Sequence, residues 1–213
     1  MPTGTLDAET ISQMKTPRCG VPDIINGTNY MQPRRKNNTR ESSSHYAFFS
    51  NNRVFKWDKF NLTYKLLGAD FPEFAKLPIE VALEKWGDVS EFIFSEEKRD
   101  FVGGDVNIGF YRGDHGDGFS FDGRGGVLAH AYAPSDGRLH FDLDEDWFSD
   151  YPKSLDSHSI DTVALHEIGH ILGLGHSAQH AAVMYPTIRP RQIKIALDAD
   201  DIEGIQELYD FDY

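Results

Sequence analysis

The eleven residues from His166 to His176, "HEIGHILGLGH", constrain this chain more than any other stretch. His166 and His170 stand four apart, so on a helix their imidazoles share one face about a turn, or ~6 Å, apart. That spacing suits two ligands of a single metal ion. Glu167 lies about 100° further round the helix, within reach of a metal-bound water without being a ligand itself. Gly173 lets the chain leave the helix sharply, which residues bearing a β-carbon resist. The turn then brings back His176 as a third nitrogen ligand. Three neutral imidazoles with one open position describe a catalytic zinc site rather than a closed structural one.

HExxH alone is met on ordinary helix surfaces. The longer spacing is far more demanding, and Met184 in "AVMYP" follows His176 by eight residues, as in the metzincin signature. The motif requires a helix from about Ser159 to Leu172, capped by Ser157 or Ser159 and ended by Gly173. Upstream, "NLTYKLL" alternates Leu62, Tyr64 and Leu66, the period of a strand. "PIEVALEKWGDVS" sets Val81, Ala82, Lys85, Trp86 and Val89 at helical spacings. "EFIFSE", "DVNIGFY", "VLAHAYA" and "RLHFDLD" read as further strands, and the glycine- and aspartate-rich residues 111–126 as loop. A last helix begins near Asp198 with acids at its positive end. Strands come mostly first and helices last, which predicts an α+β fold, and no internal repeat is visible.

Residues 31–46, "MQPRRKNNTRESSSHY", offer almost nothing to bury and predict an exposed, cleavable linker. They divide the chain into a leading segment, 1–30, and a domain, 47–213. The net charge of −13 excludes a basic face for nucleic acid and fits binding of hard cations through carboxylates. No run is apolar enough to span a bilayer. The N-terminus shows no signal peptide and reads as if it began part-way along a longer precursor. The sequons at Asn26, Asn37 and Asn61 fit a secreted glycoprotein. Cys19, in "PRCGVPD", is the only cysteine, so no intramolecular disulfide exists.

"PRCGVPD", "LTYKL", "HGDG…FDGRGG…LAHA", "HFDLDED", "HEIGHILGLGHS" and "VMYPTI" together resemble the matrix metalloproteinases, in that family's order and over nearly the whole chain. The leading segment looks most like the plant members. The resemblance implies a twisted, mostly parallel five-stranded sheet with three helices, and a cleft holding the catalytic zinc. It implies a second, structural zinc on His115, Asp117, His130 and His140, leaving His45, His158 and His180 at the surface. It implies calcium on the side chains of Asp122, Asp142 and Glu145 and the backbone of Gly123, Gly125 and Val127. Asp105 matches a ligand of a second calcium, although the loop "APSDGRLH" is shorter than usual there. "DLDEDW" does not make an EF-hand, because Trp147 stands where that loop needs glycine. "RGD" at Arg112–Asp114 leads into the zinc loop rather than marking an adhesion site.

The activity so implied is zinc-dependent hydrolysis of internal peptide bonds in extracellular proteins, with Glu167 as the catalytic acid–base. An extended protein or peptide substrate would pair with Leu128 and Ala129 on an edge strand. Pro186, Thr187 and Ile188 would wall the specificity pocket, with Thr162 at its base. A thiolate is a good zinc ligand, so Cys19 would fill the open position and make a latent zymogen. Arg18 and Asp23 would hold this plug until an activating protease cut the linker, and Asp200 would receive the new terminal amine. The expected protein is a monomer, secreted, with a membrane anchor conceivable in the full-length precursor. The rival readings are a catalytically dead module using the metal-stapled scaffold for binding and a calcium-stabilised adhesion module.

Overall fold

The computed structural model describes residues 7–8, 10–11, 15–25, 28–29, 45–48, 55–68 and 71–211. Most of the linker 31–46 and the sequons at Asn26 and Asn37 therefore lie outside the described residues. Strand β1 is Arg18–Cys19, and β2 (Ile24–Ile25) pairs antiparallel with β3 (Thr28–Asn29). The main strands are β4 (Asn61–Leu66), β5 (Ile93–Glu96), β6 (Val106–Tyr111), β7 (Val127–Ala131) and β8 (Arg138–Asp142). Two short strands, β9 (Trp147–Phe148) and β10 (His158–Ser159), pair parallel. The helices described along their whole length are α1 (Glu73–Gly87), α2 (Ile160–Ile171) and α3 (Ala199–Tyr209), the three expected of the domain.

Strands β4 to β8 make the expected five-stranded sheet, in which β7 alone runs antiparallel to its neighbour. The order is β1-β7-β8-β6-β4-β5, so β1 adds a sixth strand beside β7. It runs parallel to β7, with Cys19 opposite Ala129. The leading segment thus completes the sheet edge expected to receive substrate.

Helix α1 starts at Glu73, five residues before the turn suggested by the sequence, and Pro78 lies inside it. Proline favours a helix's first turn, which is why the sequence places the start there. Here Pro78 forgoes a hydrogen bond to the carbonyl of Phe74, but Ala75, Pro78, Ile79, Ala82, Leu83 and Trp86 form one buried face. Burial of that stripe outweighs the lost bond.

Helix α2 is buried along nearly all its length, so its ends need protein partners rather than water. Ser159 caps the start by accepting from the Thr162 N–H at 3.2 Å. At the other end the Trp57 indole donates to the Ile171 carbonyl at 2.9 Å and the Tyr209 hydroxyl to that of Leu172 at 2.8 Å. Gly173 then turns out at φ 102°, and a β-carbon there would lie 2.3 Å from the Phe55 carbonyl. Helix α3 opens on the capping box Asp198–Asp201. His158, expected at the surface, is 1% exposed on β10, because the β9–β10 pair folds it under the start of α2.

Candidate metal centres

His166 and His170 project from α2, and His176 follows the Gly173 turn, as their spacing predicts. Their Nε2 atoms converge: His170 lies 3.1 Å from His166 and 3.1 Å from His176. Each ring's other nitrogen faces an oxygen: the Val183 carbonyl at 2.7 Å, the Leu174 carbonyl at 2.7 Å and the Asp23 carboxylate at 2.6 Å. Oxygen acceptors require N–H at each Nδ1, so three bare Nε2 lone pairs point at one another. Burial holds all three rings below the ordinary histidine range, His166 at about 3, so protons do not relieve the repulsion. A cation does. Tetrahedral ligands at ~2.0–2.1 Å stand about 3.3 Å apart, close to the observed spacing, so the residues fit zinc.

The Cys19 sulfur joins the same group, its atom within 4.8 Å of the imidazole ligand atoms. Burial, and then the Glu167 carboxylate, raise its thiol well above the usual range against the weaker pull of the Val21 N–H and Arg18. The Val21 N–H donates to the sulfur at 3.3 Å. Arg18 pairs with Asp23 at 2.8 Å, as the resemblance implied. The second oxygen of Asp23 on His176 was not anticipated, and it ties the leading segment to a metal ligand. Glu167 is fully buried, its carboxylate facing the Cys19 thiol and no other hydrogen-bonding side chain among the described residues. Burial pushes its carboxyl up to about 8.

The segment Pro17–Gly20 is held on both sides. Toward β7, the Arg18 N–H donates to Gly126 at 2.8 Å and the Gly20 N–H to Ala129 at 2.8 Å. Across the channel, the Cys19 N–H donates to Pro186 at 3.0 Å, and the Ile188 N–H to Pro17 at 3.0 Å. Ala129, Pro186 and Ile188, with Gly126, therefore flank one channel, whereas the fully buried Leu128 makes none of these contacts. Thr162 is buried, and its hydroxyl accepts from the Lys194 N–H at 2.8 Å, which ties the first turn of α2 to the loop that follows the methionine turn.

The second group is equally compact. The Asp117 Oδ2 lies 2.8 Å from His115, 2.7 Å from His130 and 2.8 Å from His140. His115 turns Nδ1 to the Gly113 carbonyl at 2.9 Å, so its bare Nε2 faces an acceptor-only carboxylate. Again a cation reconciles the two, and four ligands leave no open position. Tyr132, unanticipated, donates to the same Asp117 oxygen at 2.8 Å.

Asp142 and Glu145 are buried near Asp122, and burial raises them to about 6 and about 7. The N–H groups of Gly123, Gly125 and Val127 donate to Asp142, Glu145 and Asp122 at 3.2, 2.7 and 3.0 Å. These expected calcium residues are neighbours, but among the described residues they do not converge as tightly as the two histidine groups. Asp105 makes a separate set of contacts. Its carboxylate accepts from the Lys59 ammonium at 2.6 Å and from the Thr63 N–H at 2.8 Å, so an internal cation already faces it. Arg112 of "RGD" is paired with Asp144.

Two supporting residues escaped the sequence reading. Gly169, inside the motif, lies against Met184: a β-carbon there would sit 2.3 Å from the methionine sulfur. Asp201, 1% exposed, accepts from the N–H groups of Val183 and Met184 at 2.8 and 3.0 Å, fastening the methionine turn to α3. The first carries the sequence signal of a glycine inside a helix; the second carries only its capping-box spacing.

Comparison with known proteins gives matching findings. The family model described as Matrixin matches residues 56–210. The chain is 44% identical over 215 residues to Metalloendoproteinase 1-MMP of Arabidopsis thaliana, covering 97% of this chain and 56% of that protein. It is 42% identical over 212 residues to Metalloendoproteinase 1 of Glycine max, covering 97% and 67%. Matrix metalloproteinase-2 of Drosophila melanogaster is 38% identical over 221 residues, covering 97% and 28%. The chain thus spans little more than half the length of the Arabidopsis relative.

Proposed function

The chain belongs to the matrixin family, and from that premise we propose that it is a zinc endopeptidase in latent form. The observation that carries this reading is the set of three bare Nε2 atoms in one buried cluster, with the Cys19 sulfur beside them. Zinc bound there would supply a Lewis acid for the scissile carbonyl and an acidified water as nucleophile. The protein's own residues do the rest. Val183 and Leu174 orient two of the rings by accepting at Nδ1, and Asp23 does the same for His176 in the uncut chain. Glu167 would hold the proton given up by the attacking water and return it to the departing amine, a role that suits a buried carboxyl whose one neighbour, Cys19, leaves on activation. Substrate would inherit the backbone partners now used by Pro17–Gly20: the carbonyls of Gly126, Ala129 and Pro186 and the N–H of Ile188. Thr162 and Ile188 would shape a pocket for a leucine-like side chain.

In the uncut chain Cys19 is the stopper, and a protease acting on residues 31–46 would release it. Asp200 supports that reading, since it already accepts from the N–H groups of His45 and Tyr46 at 2.8 and 3.2 Å, where a cut would create a new terminus nearby. The second group, His115, Asp117, His130 and His140, would hold structural zinc. Asp122, Asp142 and Glu145 would hold calcium once a cation draws them together. Secretion and glycosylation fit the sequons. Among the described residues no helix is long and apolar enough to cross a membrane. Substrates would be extracellular proteins and peptides, cut by a monomer.

The test is a pair of variants of the zinc-loaded chain assayed on a quenched fluorescent peptide. Cys19→Ser should hydrolyse it without processing. Adding Glu167→Ala should cut turnover ~10²-fold or more while metal analysis still finds zinc. A Cys19→Ser chain that stays silent with zinc bound would refute the stopper, and turnover indifferent to Glu167 would refute its role.

A further inference from the structure

We propose that Arg189 and Arg191 form a subsite for an acidic side chain of the substrate, three residues beyond the scissile bond. The inference rests on the endopeptidase reading and adds what the enzyme selects. A groove of about 970 Å³ opens beside the channel, lined by Thr16, His180, Thr187, Arg189, Arg191 and Gln192 among others. It is continuous with the channel, because Arg18 bridges to Thr187 and the Ile188 N–H donates to the Pro17 carbonyl. Cys19 marks the position that faces the metal cluster, and Thr16, three residues before it, reaches the groove. A substrate in the same channel presents a side chain to the groove at the same remove. With Pro186–Ile188 as the wall for the residue after the cut, a substrate runs opposite in direction to Pro17–Cys19, and its C-terminal side meets the groove.

The chemistry favours an anion. Arg189 and Arg191 are exposed, and neither guanidinium has a hydrogen-bond or ion-pair partner among the described residues. Among the described residues of this chain of net charge −13, Arg18 pairs with Asp23, Arg99 with Glu97, Arg112 with Asp144 and Arg138 with Asp136. Exposed Arg124 shares the unpaired state of Arg189 and Arg191 but stands alone rather than in a pair. The turn carrying Arg189 and Arg191 is fixed. The Arg189 N–H donates to the Gln192 side chain at 2.9 Å, and the Gln192 N–H returns to the Arg189 carbonyl at 3.0 Å. The Arg191 N–H donates to Ser157 at 2.9 Å, with the residue held at φ 57°. Glycine or asparagine would suit that backbone better, so an arginine there runs against local preference. Two planar guanidinium forks on a fixed turn match a carboxylate at little ordering cost.

The test uses the full chain, zinc-loaded and cut within residues 31–46, on peptides identical except for Glu, Gln or Lys three residues after the scissile bond. Glu should exceed Lys in kcat/KM by about three- to tenfold at low ionic strength, and the ratio should shrink in high salt. The double substitution Arg189→Gln with Arg191→Gln should bring the ratio near one, while lysine at both positions should keep part of it. A parental ratio at or below one, or one that survives the glutamine substitutions, overturns the subsite. Failure to cut any of the peptides strikes the endopeptidase reading instead. Fluorescence anisotropy of the uncut peptides then decides the subsite by the same Glu-to-Lys ratio of affinities.

Discussion

Asp23 shows how much one carboxylate can carry. One oxygen pairs with Arg18 and the other with the Nδ1 of His176, so the Cys19 segment and the histidine cluster share a hydrogen-bonded hub. The sequence places Asp23 beside Arg18, five residues away, but His176 is 153 residues distant and no spacing rule reaches it. His158 is the opposite case: a histidine left over from both metal sets reads as surface, yet it is buried with Nδ1 unpartnered among the described residues. Burial lowers it to about 4, against the weaker pull of Asp156 and Asp146. The unfolded chain, titrating near the ordinary 6.5, takes up this proton first, so His158 costs stability as pH falls from about 6.5 to about 4. Replacing it by phenylalanine should make the protein gain on its parent over that window by on the order of 2–3 kcal/mol, read from urea midpoints. Parallel pH profiles would show that its environment does not penalise the charge.

At the scale of elements, α2 is positioned by contacts beneath its histidines. Gly169 lets Met184 and Trp86 approach the helix, and Asp201 on α3 holds the two N–H groups of the methionine turn. Glycine inside a helix ordinarily costs about 1 kcal/mol relative to alanine. Here the sign should reverse, because the added methyl would sit 2.3 Å from the Met184 sulfur and 2.9 Å from Trp86. Gly169→Ala should destabilise by about 1–3 kcal/mol net and lower the melting temperature. A rise would mean that Met184 moves aside freely. Helix α1 teaches a related lesson: Pro78 as a start signal is a local rule, and the buried stripe from Ala75 to Trp86 overrides it.

Across the whole molecule, the two metal groups join distant parts of the chain. The first links α2, the turn after it and the leading segment; the second fastens the loop at His115 and Asp117 to β7 and β8. A ligand at 1,000 times its Kd adds about 4 kcal/mol of stability, which for a domain of this size is roughly 10 °C in Tm. Chelation should therefore lower Tm by roughly that much or more. Zinc and calcium added back separately should each restore part of the loss. A melting curve indifferent to chelator would remove both metal assignments together. The β1 edge adds a second global link, since release of residues 17–20 exposes β7 and the metal cluster in one step.

What the sequence determined by itself was the chemistry whose partners are near in the chain. His166 and His170 are set by the helical repeat, His176 by a glycine turn, the ends of α2 and α3 by Ser159 and Asp198, and the strands by their alternation. What only the tertiary structure decided was which distant groups meet. Asp23 reaches His176, Lys59 takes the carboxylate of Asp105, Asp201 holds the methionine turn, and the channel's far wall lies against Pro17 to Cys19. Helical and strand periods report local backbone geometry, whereas these contacts arise from the packing of elements whose sequence separations carry no repeating signal.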